Sequence, residues 1–128
     1  MSDVTQNVFK LWEPLEGTRL LFYCEGLHDD WEGFRILLRS NDRVLRVSFN
    51  AHVAYRNMDE GKRLKTLSQF PRDILGVTFY TVENSTWAKW FYEESKVYDG
   101  DELTHYMIGT DNDWIDVLAL EPPIVEWL

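Results

Sequence analysis

A single cysteine, Cys24, is the first thing this 128-residue chain has little of. One thiol excludes a disulfide framework and any zinc site built on several thiolates. Four prolines and seven glycines exclude a collagenous or low-complexity chain. No apolar run approaches the ~18 residues that a spanning helix needs. The longest, Leu20 to Cys24 and Val117 to Leu120, have the length of strands. The first residues, Met-Ser-Asp-Val-Thr-Gln-Asn, lack the basic stretch and apolar core of a signal peptide. A free cysteine within an apolar run also suits a reducing interior, so the expected location is the cytoplasm. Glycine-rich phosphate loops, G-x-S-x-G elbows and H-E-x-x-H pairs are all missing, and the sequence points to no cofactor and no catalytic motif.

What is present is apolar and acidic. At 45% hydrophobic and 15% aromatic, the chain has the material for one folded domain over residues 1–128. Its 13 basic and 22 acidic side chains leave a net charge of −9, which argues against a general nucleic-acid binder. The charge is uneven along the chain. Residues 1–34 are acidic, residues 35–72 carry nine basic groups against three acids, and the first 92 residues together are neutral. Residues 93–128, with Lys96 against ten acids, hold the whole excess. Such a run either solvates the fold or offers a surface to a basic partner.

The hydropathy pattern predicts an α+β fold: a mostly antiparallel sheet of five or six strands, with two helices packed on one face. Residues 8–16 have the spacing of a short helix or an ordered arm, and residues 19–25 read as a strand followed by a polar loop over 27–31. The clearest unit is a hairpin. Phe34, Ile36 and Leu38 alternate with Arg35 and Arg39, a turn follows at Asn41-Asp42, and Leu45, Val47 and Phe49 alternate with Arg46 on the return. Pairing Leu38 with Leu45, Ile36 with Val47 and Phe34 with Phe49 puts six apolar groups on one face and the arginines on the other. Leu64, Leu67 and Phe70 predict a helix from Asp59, stopped by Pro71. Residues 75–82 read as a central strand. A second helix over 86–96 is capped by Asn84 or Ser85, with Trp87, Trp90 and Phe91 as its apolar stripe. Residues 105–110 and 114–120 form a hairpin around Asp111-Asn112-Asp113, ahead of an apolar tail over 124–128.

Candidate sites follow from charge and aromatics. Six tryptophans are more than a small core needs, and Trp31 and Trp127 stand beside carboxylates. A ring that anchors and acids that steer form a recognition surface for a basic protein. The candidate partner-binding set is therefore Asp99, Asp101, Glu102, Asp111, Asp113, Trp31 and Trp127. The same rings could instead cover the edges of the core. A second surface, Arg35, Arg39, Arg46, Lys62, Arg63 and Lys65, would suit an acidic partner of a regulatory protein. Asp111-x-Asp113 resembles the opening of a calcium loop, but Ile115, Asp116 and Pro122 occupy its fifth, sixth and twelfth positions, so no metal is expected. Cys24, inside an apolar strand, reads as structural. For a small-molecule or enzymatic site on the concave sheet face, His105, Tyr106 and Asp116 are the polar candidates. On a regular strand, however, His105 and Tyr106 point to opposite faces.

The segments Val53-Ala-Tyr-Arg-Asn-Met-Asp-Glu-Gly61, His105-Tyr-Met-Ile-Gly-Thr-Asp-Asn-Asp-Trp-Ile-Asp-Val117 and Val125-Glu-Trp127 resemble patterns in small acidic bacterial proteins of unknown function, a group that includes toxin-immunity proteins. The resemblance implies a bacterial origin and a non-enzymatic role and transfers no catalytic residues. With the charge layout, it gives the leading expectation: a protein-binding module, concretely an immunity protein that neutralises a basic toxin.

Overall fold

The computed structural model describes residues 7–96, 98 and 102–128. Among these residues alternation of period two dominates, and it builds nine strands in two antiparallel sheets. The five-stranded sheet has the order β1 (Val8–Leu11), β6 (Phe79–Glu83), β7 (Thr104–Gly109), β8 (Asp113–Ala119), β5 (His52–Asp59). The four-stranded sheet has the order β2 (Tyr23–Asp30), β3 (Gly33–Ser40), β4 (Arg43–Phe49), β9 (Ile124–Trp127). Two helices, α1 (Leu64–Ser68) and α2 (Thr86–Ser95), complete an α+β fold.

The β3–β4 hairpin has the expected register: Leu38 opposite Leu45, Ile36 opposite Val47, Phe34 opposite Phe49. All six side chains are buried. They meet Phe79, Tyr106, Ile108, Ile115, Val117 and Ala119 of the five-stranded sheet in the main core. Two amphipathic sheet faces closing on each other remove both from water, worth roughly 25 cal/mol per Å² of apolar surface. At the turn, Asn41 takes a positive φ of 58° while Asp42 does not. One of the two central positions therefore needs the left-handed tolerance of an Asx residue.

β7 and β8 are buried on both faces. Tyr106, Ile108, Ile115 and Val117 point into the main core. The alternate residues point outward, where Met107 and Trp114 join a second cluster with Phe9, Tyr80, Val82 and Phe70. Leu118 joins a third with Ala88 and Leu103 beneath α2. Both helices therefore cover the outer face of the five-stranded sheet, one face as expected, and the molecule has three layers.

Several expectations are corrected. The strands form two sheets, because alternation identifies a half-buried strand without saying which strands share a ladder. Residues 8–11 form a strand paired with β6, since Pro14 leaves too few residues for a stable helix. The second strand starts at Tyr23 and runs on to Asp30 through the expected polar loop. The apolar tail is β9, paired with β4. The helix expected from Asp59 is shorter, because the β5–β8 ladder holds the chain extended as far as Asp59 opposite Asp113. Asp59 Oδ1 then accepts the Gly61 N–H at 2.8 Å and caps a single 3₁₀ turn before α1. The strand expected over 75–82 begins only at Phe79, after a 3₁₀ turn over Arg72–Ile74.

Ser85 caps α2, accepting the Ala88 N–H at 3.0 Å, and Lys96 in the left-handed conformation ends it. The stripe of α2 is shifted from the expected one. Ala88 is its buried residue, whereas Trp90 is 54% exposed. Two residues of helix are a rotation of ~200°, so these two positions face opposite ways.

Candidate functional site

The outer face of the β7–β8 hairpin carries an unusual set of buried polar groups. Register places His105 opposite Leu118 and Met107 opposite Asp116, so His105 and Asp116 are diagonal neighbours on the same face. His105 Nε2 lies 2.7 Å from Asp116 Oδ1, and His105 Nδ1 lies 2.7 Å from Ser85 Oγ. The other carboxylate oxygen, Asp116 Oδ2, accepts from Arg56 Nε and from Arg63 Nη1, each at 2.8 Å. Arg56 comes from β5 directly opposite Asp116, and Arg63 from the turn before α1. Trp87 packs edge-on against His105 at 5.2 Å and carries the Arg56 guanidinium over its ring at 4.5 Å.

The electrostatics of this set keep Asp116 ionised. Burial alone would raise the Asp116 carboxyl. The hydrogen bond from His105, and then the charges of His105, Arg56 and Arg63, outweigh burial and hold it well below the ordinary carboxylate range. An ionised carboxylate only accepts, so His105 donates from Nε2. When His105 is charged both ring nitrogens donate; when it is neutral, the state a base requires, Nδ1 accepts the hydrogen bond from the Ser85 hydroxyl. Ser85 Oγ meanwhile accepts from Ala88. No buried side-chain nitrogen or oxygen among the described residues lacks a partner. Ser85 and His105 open on a cleft of about 690 Å³ between α2 and the β1–β6–β7 edge. Tyr106 is on the opposite side of the sheet, in the main core.

The described members of the expected partner-binding set do not come together as one patch. Asp99 and Asp101 lie outside the described residues, and Glu102 is exposed. The Asp111–Asp113 turn is docked on the start of the second strand: the Asp111 N–H donates to the Phe22 carbonyl at 2.9 Å, and Asn112 Oδ1 accepts the Cys24 N–H at 2.9 Å. Asp111 is exposed and Asp113 half-buried. Trp127 is packed, with Phe22 beside it and the Arg43 guanidinium 3.7 Å over its ring. It therefore covers a core edge, the second of the two roles open to it.

Trp31 is different. It is 92% exposed at the tip of the β2–β3 hairpin. β4 pairs no further than Phe34, so the Asp30–Gly33 end of the hairpin extends past β4, and the turn is possible because Gly33 adopts a φ of 109°. Asp29, Asp30 and Glu32 flank Trp31 in sequence, and all three are exposed. Trp127 pairs with Leu45, level with Leu38 and Cys24, so it and the Asp111–Asp113 turn occupy the opposite end of the four-stranded sheet.

The basic surface is largely neutralised. Arg35 pairs with Asp30 at 2.8 Å and Glu32 at 3.6 Å, Arg39 with Glu25 at 2.5 Å, and Arg46 with Glu126. Arg63 is no surface group: its side chain is 6% exposed and committed to Asp116. Lys62 and Lys65 are exposed. Cys24 is buried, and burial is the main cause pushing its thiol up, which suits a structural thiol. Among the described residues, no group of three or more His, Cys, Asp and Glu side chains is placed to hold a metal ion. Nor is any helix among them long and apolar enough to cross a membrane. No family model matches the chain, and no curated protein or solved structure matches it either.

Proposed function

We propose that the protein is a binding module for a basic protein partner, an immunity-type inhibitor of a basic toxin, and that it engages that partner with the tip of the β2–β3 hairpin. One observation carries the reading: a tryptophan 92% exposed on a projecting turn, among Asp29, Asp30 and Glu32. A fully solvated indole contributes nothing to the fold and leaves apolar surface in water, a cost recovered only when a partner covers it. Asp30 and Glu32 share one guanidinium, Arg35, and Asp29 stands 4.0 Å from His52 Nε2, so three carboxylates face a single permanent cation and the tip is negative, suited to steering a basic partner. The net charge of −9 adds a long-range field of the same sign. Ion pairing of Arg35, Arg39 and Arg46 removes most support for an acidic partner on the other candidate surface. Cys24, a buried free thiol, suits action in the cytoplasm.

The test is affinity capture from the source organism with wild type and with an Asp29→Lys, Glu32→Lys double variant. A basic protein retained by wild type and released by the variant supports the reading. Retention of the same protein by both would remove the tip from the interface, and a captured partner that is itself acidic would end the proposal.

A further inference from the structure

We propose that Ser85 is a nucleophile and that the cleft beside α2 hydrolyses short-chain carboxylic esters, with His105 as the general base. The activity is independent of the hairpin tip. Three features of the cluster carry it.

The first is proton order. In the neutral imidazole, Asp116 Oδ1 accepts the hydrogen bond from His105 Nε2–H, so the Nδ1 lone pair faces Ser85 Oγ at 2.7 Å and accepts from its hydroxyl. A general base requires this order and this distance. The second is the position of Ser85 at the N-terminus of a ten-residue helix, with the Ala88 N–H on Oγ at 3.0 Å. The positive end of the helix dipole lies beside Oγ, where it favours release of the hydroxyl proton. The third is the cost of what stands behind the serine. A cap needs only the Ser85 hydroxyl and the Ala88 N–H, and it is worth about 1 kcal/mol. A buried imidazole, a fully buried carboxylate and a buried guanidinium are not needed for it, and desolvating them works against folding. They do what a relay needs: Arg56 and Arg63 hold Asp116 ionised, and Asp116 holds the imidazole in the basic tautomer. Asp116 is a positioning residue here.

The cleft supplies the substrate class. Its volume of about 690 Å³ is in the range of small-ligand sites. Val82, Ala88, Tyr92 and Leu103 give it apolar walls suited to a short acyl chain, with Asn84 and Lys89 at its rim. In the reaction Ser85 Oγ bonds to the ester carbonyl carbon while His105 Nδ1 takes the hydroxyl proton and the carbonyl electron pair moves to oxygen. The tetrahedral centre collapses, the carbon–alkoxy bond breaks, and the leaving oxygen takes the proton from Nδ1 and departs as the alcohol. Water then adds to the acyl-Ser85 carbonyl, giving its proton to Nδ1. The carbon–Oγ bond breaks, and the proton returns to Oγ as the carboxylic acid leaves. Ester and water become acid and alcohol.

The full chain is treated with a fluorophosphonate, digested and mapped by mass spectrometry, and hydrolysis of p-nitrophenyl butyrate is followed in parallel. The expected result is one adduct, on Ser85, and a hydrolysis rate that falls on the order of 10²–10⁴-fold in His105→Gln. Ser85→Asn keeps a side-chain acceptor for the cap and removes the nucleophile, so it should stay folded by circular dichroism and release no p-nitrophenolate above background. A wild-type chain without an adduct, or with its adduct elsewhere, overturns the proposal, and so does a folded Ser85→Asn that hydrolyses at the wild-type rate. The wild-type adduct decides the matter even if both variants fail to fold.

Discussion

Replacing Asp116 by alanine should be among the most damaging single changes in this protein. The carboxylate is fully buried and is shared by three partners, which differ in what they lose. Arg56 keeps a side chain 41% exposed, so water can take over its hydrogen bonds and its share is small. Arg63 is 6% exposed and His105 3%, and both would be left facing an empty space. Removing one partner from a buried pair costs about 3–5 kcal/mol, chiefly through the uncompensated charge left behind. Against a typical stability of roughly 5–15 kcal/mol, that is a large part of the whole. In urea, with a slope of about 1.5 kcal/mol per molar, the midpoint should fall by about 2–3 M. Equilibrium unfolding followed by tryptophan fluorescence measures it. A shift below about 0.5 M would mean that the cluster is hydrated or rearranges freely, and the reasoning from burial would be wrong. An Asp116→Leu, Arg63→Met double variant provides the control. If the loss in Asp116→Ala comes from the stranded guanidinium, the double variant should recover much of it, because well-packed apolar replacements of buried pairs are often close to neutral.

The same carboxylate fixes an acid limb in the stability profile. Its folded-state acidity lies below the ordinary value of 3.8, so its contribution is complete above that value and is lost as pH falls through the folded one. Wild type should therefore lose stability below about pH 4 more steeply than Asp116→Asn, and parallel acid limbs would contradict the assignment. Arg39→Ala and Arg46→Ala remove exposed cross-strand pairs with Glu25 and Glu126 and should cost only about 0–1 kcal/mol by chemical denaturation. Ile36→Ala opens a hole in the fully buried centre between the sheets and should cost about 2–5 kcal/mol in the same assay.

Where local chemistry decides the structure, the sequence is readable. The β3–β4 register follows from six alternating apolar residues and an Asx turn, and the ends of α2 follow from Ser85 and from the polar stretch after the helix. The diagonal placement of His105 and Asp116 is not implicit in a hairpin centred on residues 111–113, which would put the two on opposite faces; it follows from the observed register, in which Gly109 pairs with Trp114 and His105 with Leu118. What is not readable depends on contacts between distant segments. Val8–Leu11 and Ile124–Trp127 are four-residue strands whose identity comes from the ladders of β6 and β4. The basic segment over 35–72 looks like a charged face only while it is counted along the chain. Folding brings Glu25, Asp30, Glu32 and Glu126 onto its arginines and sends Arg63 inside. Ser85 is legible as a cap but not as the third member of a relay, because His105 lies twenty residues away. Trp31 and Trp127 are alike in sequence, each beside an acid. Pairing alone separates them, since β9 docks Trp127 against the core and nothing pairs with the turn at Trp31.

The central claim is that the exposed indole is the anchor of a protein interface, and the most direct measurement compares wild type with Trp31→Ala. With no packing role, the substitution should leave the unfolding free energy within about 0.5 kcal/mol of wild type. Affinity for the captured basic partner, read by surface plasmon resonance, should fall at least ~30-fold, the effect of losing an anchor worth about 2 kcal/mol. An unchanged affinity in an equally stable variant would show that the partner does not cover Trp31, and the account of the hairpin tip would be wrong.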